Sequence, residues 1–244
     1  MLIHRRTALG GSAAIALASA TRRAHAEFPS IKVGVLADFS GLYTDLLGMP
    51  GVECARQAVT DFAPESRGFN VEIIYADHQN KPDVGGTIVR RWFDSEGVDM
   101  MIAGPNSAVG LAASFIAKEK DKVCMGTAVT ASEFTGKQCT PNTINWTYDA
   151  YMLSKAVAAE ITKSGGKTWY FISTNNAFGA SLQQETSTFV AEAGGRVLGN
   201  SKAALGTSDF SAILLAARAS GADVLGLAVG GNDLINTLKQ ASSA

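Results

Sequence analysis

Short polar or aromatic side chains follow three apolar segments, at points where a strand is predicted to give way to a helix. Asn106 and Ser107 follow the segment VDMMIAG, Thr130 follows VCMGTA, and Tyr43 follows IKVGVLAD. A helix N-terminus presents unpaired N–H groups and the positive end of the helix dipole, and both favour an anion such as a carboxylate. These junctions therefore indicate a binding site for a small anion.

Helix capping alone is the simpler explanation of any single junction. Ser, Thr and Asn are common N-cap residues, and Thr130 and Glu133 have the spacing of a capping box. A capping hydroxyl can also turn outward to an anion, so the two roles are compatible. Because the carboxyl ends of parallel strands meet at one edge of a sheet, three junctions along that edge favour a ligand site.

Two similar junctions lie in the C-terminal half of the sequence. Phe178 lies at the start of a predicted helix, where its ring either stacks on a ligand or packs against its own helix. Gly230 and Asn232 follow a predicted strand, and the glycines at 230–231 let a ligand or another part of the molecule approach the backbone closely.

Patterns that indicate catalysis are few. His78, beside Asp77, is the single histidine after residue 26, and this setting favours a surface or loop histidine over a general base. The Cys and His residues lack zinc-site spacing, and no G-x-S-x-G motif is present. Gly166-Lys167-Thr168 resembles the end of a phosphate-binding loop, but it precedes a predicted strand instead of following one. The sequence therefore predicts no enzyme, no metal and no cofactor.

The junctions need a scaffold of alternating strands and helices. Hydrophobic runs predict strands at 31–38, 71–77, 98–104, 123–128, 168–173, 196–200 and 223–229, and helices at 50–62, around 84–92, at 108–120, 149–164, 178–193 and 210–220, and from 233. Repeated strand–helix units imply an α/β fold with parallel sheets covered by helices on both faces.

The two halves of this pattern echo each other. SEGVDMMIAG and ASGADVLGLA both place a Gly at a predicted helix end, one further residue, an Asp and then an apolar strand. This similarity favours two lobes, residues 27–147 and 148–244, with the turn-rich segment 139–149 as the crossover. The sequence ends inside a predicted helix with no strand after it, so we expect the second lobe to be incomplete.

The N-terminal segment has the features of a secretory signal peptide. A basic start at 4–6 is followed by an apolar run at 8–20 and an A-x-A site at 24–26, which predicts a signal peptide over residues 1–26 and a soluble periplasmic protein. No Cys follows the apolar run, which argues against a lipid anchor. Without the four Arg of this segment, the 21 basic residues fall to 17 against 22 acidic ones, or −5, which does not favour nucleic acid.

Three cysteines follow the signal segment: Cys54, Cys124 and Cys139. An odd number in an oxidising compartment allows at most one internal disulfide and leaves one thiol over. The spacing identifies no pair, so buried free thiols and one disulfide both stay open.

Several segments together resemble the periplasmic solute-binding proteins of branched-chain-amino-acid-type (Leu/Ile/Val-binding-like) ABC transporters. They are IKVGVLADFSG, VDMMIAGPNSAVGLA, TASEFTGKQCTPNT, TWYFISTNNAFGASL and SDFSAILLAARASGADVLGLAVGG. The resemblance covers residues 27–244 and implies the type I periplasmic-binding fold, two Rossmann-like lobes with parallel sheets joined by a hinge. It also implies that a small solute is held between the lobes and delivered to membrane permease and ATPase subunits, without catalysis. Typical members continue further, which agrees with a truncated second lobe.

The resemblance also assigns roles by position. Asn106 and Ser107 match the loop whose hydroxyl and N–H groups take the ligand carboxylate. Ala128 and Thr130 match the next loop, whose carbonyl and hydroxyl hold the ligand's amino and carboxylate groups. The other residues that this resemblance places at the ligand are Tyr43, Tyr148, Asp149, Phe178, Gly230 and Asn232.

The resemblance is closest to a branch that includes binders of aromatic carboxylates, and Tyr43, Tyr148 and Phe178 suit a flat apolar ring. It therefore implies that a carboxylate-bearing solute, an amino acid or an aromatic acid, is trapped for import. The alternative is a ligand-sensing receptor of the same fold that signals to a partner without transport. Neighbouring permease and ATPase genes would indicate import, and a kinase or amidase gene would indicate sensing.

Overall fold

The computed structural model describes residues 28–242, so the predicted signal peptide lies outside the described residues. The first lobe is a five-stranded sheet in which each neighbouring pair of strands is parallel. Its strands, in the order β2-β1-β3-β4-β5, are β1 (Ser30–Ala37), β2 (Asn70–Asp77), β3 (Met100–Ala103), β4 (Val123–Gly126) and β5 (Thr143–Asn145).

Helices cover both faces of this sheet. They are α1 (Thr44–Leu47), α2 (Met49–Phe62), α3 (Pro82–Asp94) and α4 (Ser107–Glu119), with a 3-10 turn at Pro64–Arg67. Trp92 of α3 and Val109 of α4 belong to the main core with Met101, while Val52 of α2 packs with Val35 in a second cluster. Burial on two faces explains why the strand segments read as nearly continuous apolar runs.

The second lobe contains a three-stranded parallel sheet within the described residues. Its order is β7-β6-β8, formed by β6 (Thr168–Thr174), β7 (Arg196–Ala203) and β8 (Val224–Ala228). Its helices are α5 (Ala150–Lys163), α6 (Ala177–Glu192), α7 (Ser211–Ala219) and α8 (Gly231–Ala241). One core joins Trp169 to Phe189 of α6, and another joins Ile172 to Leu214 of α7.

The sequence echo corresponds to the same local structure in both lobes. In each lobe the Gly takes a left-handed conformation, with φ of 68° at Gly97 and 66° at Gly221. The carboxylate of Asp99 accepts a hydrogen bond from the Lys32 N–H at 2.9 Å, and Asp223 accepts one from the Thr168 N–H at 2.9 Å. Each Asp thus ties the start of its strand to a neighbouring strand, β1 in the first lobe and β6 in the second.

The α/β fold with parallel sheets is confirmed, and the structure corrects some details. The crossover contains β5, a three-residue strand that the sequence analysis missed because so short a segment carries little periodicity. No helix lies between β4 and β5. Turns occupy residues 132–138 there, so the predicted capping box of Thr130 and Glu133 is wrong. The lobe boundary at 147/148 falls between β5 and α5.

All three cysteines are free thiols in the structure. Cys124 is buried in β4, whereas Cys54 and Cys139 are exposed. Burial raises the pKa of the Cys124 thiol to about 12, so this thiol stays protonated at neutral pH.

Candidate functional site

The N-terminus of α4 is capped by Asn106, and this leaves Ser107 available to a ligand. The Asn106 side chain accepts hydrogen bonds from the N–H groups of Ala108 at 3.0 Å and Val109 at 3.2 Å. The Ser107 hydroxyl oxygen accepts from the Ala131 N–H at 3.1 Å. Because its oxygen is already an acceptor there, the Ser107 hydroxyl hydrogen is available to donate to an anion.

The loop after β4 lies against α4 because a glycine leaves room for it. A Cβ on Gly110 would lie 2.4 Å from Cγ2 of Val129, so only glycine permits this approach. The Thr130 carbonyl accepts a hydrogen bond from the Ala150 N–H at 2.7 Å, which ties the loop to the start of α5. Ala128 and Thr130 are thereby held beside the N-terminus of α4.

The loop after β1 is organised by Asp38, a residue that the sequence analysis did not select. Its fully buried carboxylate accepts hydrogen bonds from the N–H groups of Gly41 and Tyr43, both at 2.8 Å, and from the Asn80 side-chain amide. Asn80 in turn accepts a hydrogen bond from the Asn106 amide at 3.2 Å. One polar network thus fixes the loop that carries Tyr43 relative to the cap of α4.

Tyr43 reaches from the first lobe to the second. Its side chain is buried, and it lies close to the side chain of Asn176, the N-cap of α6. Burial raises the pKa of Tyr43 to about 12. The neighbouring Asn176 side chain opposes this rise in pKa, and the nearby Asp233 and Asp38 carboxylates add to it. The phenol is therefore neutral at physiological pH and acts as a neutral hydrogen-bonding group in the cleft.

The second lobe meets this surface at Phe178 and at the glycines before α8. Gly231 has φ of 58°, and a Cβ there would lie 2.9 Å from the Leu42 carbonyl oxygen. A Cβ on Gly230 would instead lie 3.6 Å from the Phe178 ring, an ordinary contact. The two lobes therefore touch where α8 begins, and Gly231 permits that contact.

These elements enclose a pocket of about 210 Å³ between the lobes, here called the first pocket. It is lined by Tyr43, Leu46, Pro105, Ser107, Ala128, Thr130, Tyr148, Phe178, Gly230 and Gly231. Seven of the ten residues predicted to bind ligand are in this lining: Tyr43, Ser107, Ala128, Thr130, Tyr148, Phe178 and Gly230. The structure thus brings them together, and their role in binding stays a prediction.

The other three predicted residues do not line the first pocket. Asn106 lies behind it as a helix cap, and Asn232 is exposed on α8. Asp149 caps α5 by accepting a hydrogen bond from the Met152 N–H at 2.8 Å, and it lines a different cavity. Leu46 also lines the first pocket and was not predicted, although it lies one helical turn after Tyr43 and that spacing could have identified it.

His78 has no contact that indicates catalysis. It lies in a loop, as the prediction of a surface or loop position allows, and it is fully buried there. Its Nδ1 accepts a hydrogen bond from the Asn80 N–H at 3.0 Å. Burial lowers the pKa of His78, although Asp38 and Asp77 act in the opposite direction. Within residues 28–242 no group of three or more His, Cys, Asp or Glu side chains could hold a metal ion.

The family model described as periplasmic binding protein matches residues 30–244, so the chain belongs to that family. A periplasmic binding protein from Burkholderia mallei is 42% identical, with a TM-score of 0.86 over 88% of this chain and 57% of its own. A branched-chain amino acid ABC transporter periplasmic ligand-binding protein from Burkholderia xenovorans is 33% identical, with a TM-score of 0.71 over 87% and 57%. This is a family of solute-binding proteins and not an enzyme family. The resemblance to periplasmic solute-binding proteins that the sequence motifs indicated is therefore confirmed.

A more distant structure shares the fold. The solute-binding protein of an ABC transporter from R. palustris, solved in complex with benzoate, is 20% identical, with a TM-score of 0.81 over 88% of this chain and 59% of its own. A search of curated proteins found no match. The chain spans about 57% of the length of the two Burkholderia relatives. Among helices in the described part of the chain, none has the length and apolar character needed to cross a bilayer.

Proposed function

We propose that the chain is the extracytoplasmic substrate-binding component of an ABC importer, and that it holds a small carboxylate-bearing solute in the first pocket. The observation that carries this proposal is the lining of that pocket. Ser107 at a helix N-terminus and Thr130 in the adjacent loop supply hydroxyl groups, and aromatic side chains from both lobes supply apolar surface. Family membership supports the same role.

The polar end of the first pocket suits a carboxylate. The N-terminus of α4 carries the positive end of the helix dipole, and Ser107 has a hydroxyl hydrogen to donate. Both features favour a negative oxygen over a neutral one. The carboxylate of a solute would therefore lie against Ser107 and Thr130.

The rest of the pocket suits an apolar body. Tyr43, Tyr148 and Phe178 surround the space opposite the hydroxyl groups. A volume of about 210 Å³ suits a small solute such as benzoate or leucine. These two are the solutes named for related binding proteins, benzoate for the R. palustris protein and leucine for one from Thermotoga maritima.

The first experiment measures benzoate and leucine binding by calorimetry, with benzamide as the neutral analogue of benzoate. We expect benzoate or leucine to bind and benzamide not to bind. Ser107→Ala should weaken carboxylate binding by about 1.5–3 kcal/mol, because it removes a hydrogen bond to a charged group.

Ser211→Ala is the matched control, since Ser211 also begins a helix but is exposed and lies outside the first pocket. It should leave binding unchanged. If Ser107→Ala binds the carboxylate as tightly as the original chain, Ser107 does not contact it. If the chain prefers benzamide to benzoate, the proposed carboxylate site is wrong.

The proposed partners and cellular location follow from the substrate-binding role. The solute-loaded form would be recognised by membrane permease and ATPase subunits in the periplasm, where the predicted signal peptide would direct the chain. No turnover is proposed, because the site supplies hydrogen bonds and apolar surface without a nucleophile–base pair. Unchanged solute recovered after prolonged incubation is the expected result, and a released product would contradict this.

A further inference from the structure

The loop between β2 and α3 holds two consecutive residues other than glycine in the left-handed region of backbone space. The φ angle is 51° at Gln79 and 55° at Asn80. This conformation is unfavourable for residues with a Cβ, although asparagine tolerates it better than most. Such residues persist where surrounding contacts hold them, and they are common at functional sites. The contacts of this loop therefore indicate what the conformation is for.

Each polar group of Asn80 has a hydrogen-bond partner. Its backbone N–H donates to Nδ1 of His78 at 3.0 Å, and its side-chain amide donates to the Asp38 carboxylate. Its side-chain oxygen accepts from the Asn106 amide at 3.2 Å, and its backbone carbonyl accepts from the same amide at 3.5 Å. Asn80 thus bridges the loop after β1 and the N-terminus of α4.

The bridge reaches Tyr43 through a single carboxylate oxygen. Oδ2 of Asp38 accepts both the Asn80 amide and the Tyr43 N–H, the latter at 2.8 Å. The loop after β1 leaves room for this approach, because a Cβ on Gly41 would lie 2.8 Å from the Asn80 amide nitrogen. The side chain of Asn80 and the backbone of Tyr43 therefore share one anchor.

At its other end the bridge fixes the orientation of Asn106. The amide nitrogen of Asn106 faces Asn80, so its oxygen faces α4 and caps the N–H groups of Ala108 and Val109. Ser107 lies between this cap and the helix that it caps. Its position therefore depends on the side chain that Asn80 holds.

We infer that Asn80 is a positioning residue for the proposed carboxylate site, where it holds Tyr43 and Ser107 at a fixed separation. Both of these residues line the first pocket, whereas Asn80 is not part of that lining. A solute that contacts both residues binds well only when their separation fits it, so the supporting bridge sets the affinity. This inference rests on the proposed function.

The first test compares Asn80→Gly with Gln79→Gly as its matched control. Glycine takes a positive φ freely, so both variants relieve the backbone in the same way. Asn80→Gly alone removes the bridge, because Gln79 is exposed and takes no part in it. Calorimetry with benzoate, or with leucine if the chain binds leucine instead, should show at least about tenfold weaker binding for Asn80→Gly. Gln79→Gly should bind like the original chain.

A second measurement needs no solute. The Tyr43 N–H is held by Asp38, so its hydrogen exchange reports how firmly the loop after β1 is fixed. In NMR exchange experiments we expect this amide to exchange at least about tenfold faster in Asn80→Gly than in the original chain. Gln79→Gly should leave its exchange rate unchanged.

Asn80→Asp keeps the size and the acceptor oxygen of the side chain and tests the donor. At pH 7.5 its carboxylate would face that of Asp38, so solute binding should fall by about tenfold or more. The neighbouring charge raises the pKa of the new carboxyl group, and its protonated form can donate to Asp38 again. Binding should therefore recover at pH 5.5. The original chain, measured at both pH values, corrects for titration of Asp38, Asp77 and His78.

Thermal unfolding shows which variants are folded, and either Asn80 variant alone decides the test. Unchanged solute affinity in a folded Asn80 variant at pH 7.5, or an equal loss in Gln79→Gly, would overturn the inference and leave the proposed function standing. If the original chain binds neither benzoate nor leucine, the proposed function fails instead. Tyr43 exchange then judges the bridge by itself: faster exchange in Asn80→Gly alone supports it, and an unchanged rate removes it.

Discussion

Asp38 and Asp233 show how differently two buried carboxylates are accommodated near one cleft. Asp38 is surrounded by donors, including two backbone N–H groups at 2.8 Å, so its burial is compensated. Asp233 is only 1% exposed. Within the described residues its carboxylate accepts one hydrogen bond, from the Gly206 N–H at 3.0 Å, and its Oδ1 atom has no partner. Burial raises the pKa of Asp233, although the Gly206 hydrogen bond opposes the rise.

The direction of that pKa shift predicts a stabilising substitution. A raised folded-state pKa means that the folded chain binds the Asp233 proton more tightly than the unfolded chain does. Protonated Asp233 therefore contributes stability below its unfolded-state pKa, and this contribution is lost as the pH rises through its folded-state pKa. Asp233→Asn removes the charge and keeps an acceptor for Gly206. We expect it to raise the free energy of unfolding at pH 7.5 by on the order of 1 kcal/mol.

Urea unfolding at pH 7.5 and near pH 4 measures this effect. The gain from Asp233→Asn should shrink at the lower pH, because the original Asp233 is then more fully protonated. A gain that is equal at both pH values would mean that the charge of Asp233 is not its cause.

At the scale of elements, each strand–helix junction both caps a helix and lines the first pocket, and the sequence does not show which residue has which role. Asn106 satisfies N–H groups of α4, whereas Ser107, the next residue, lines the first pocket. Likewise Asn176 caps α6 and Phe178 lines the pocket. At each junction one residue completes the helix and a neighbour faces the cleft, so the simple capping interpretation and the binding interpretation apply to different side chains.

This division predicts different effects for neighbouring substitutions. Asn106→Ala removes the cap of α4 and should lower the free energy of unfolding by about 0.5–2 kcal/mol. Asn175→Ala is the control, since Asn175 is exposed beside another cap and should change stability by less than about 0.5 kcal/mol. Urea unfolding of both variants gives the comparison, and equal effects would show that the Asn106 cap contributes nothing specific.

At the scale of the whole molecule, the described structure has the two lobes in contact across the cleft. The contacts include the Ser132–Ser181 hydrogen bond and the close approach of Gly231 to Leu42. A solute that touches both lobes stabilises the closed form only by its differential affinity for that form. A substitution that blocks the contact between Gly231, at the start of α8, and Leu42 should therefore favour the open form.

Gly231→Ala should open the cleft. Its Cβ would lie 2.9 Å from the Leu42 carbonyl oxygen, and its φ of 58° is unfavourable for alanine. Gly230→Ala is the matched control, because its Cβ would make contacts of 3.6 Å or longer and its φ is −140°. Small-angle scattering should show a larger radius of gyration for Gly231→Ala alone. An unchanged radius would mean that this contact does not control closure.

Much of the fold was predictable from the sequence because its signals are local. Apolar runs of strand or helix length, and Gly or polar residues at element ends, depend on neighbours a few positions away. These signals predicted the alternating elements, the parallel sheets and the polar junctions. The order and spacing of the motifs also predicted the family, which the comparison confirmed.

The tertiary structure decided what local signals do not contain. The three-residue β5 exists because β4 offers an edge to pair with, and the loop after β4 stays non-helical where it packs against Gly110. The sequence placed Asp149 with the other site residues, but the packing of α5 turns it into a separate cavity with Glu133 and Glu185. Which side chain of a junction faces the cleft depends on contacts between residues far apart in sequence, and folding alone brings those residues together.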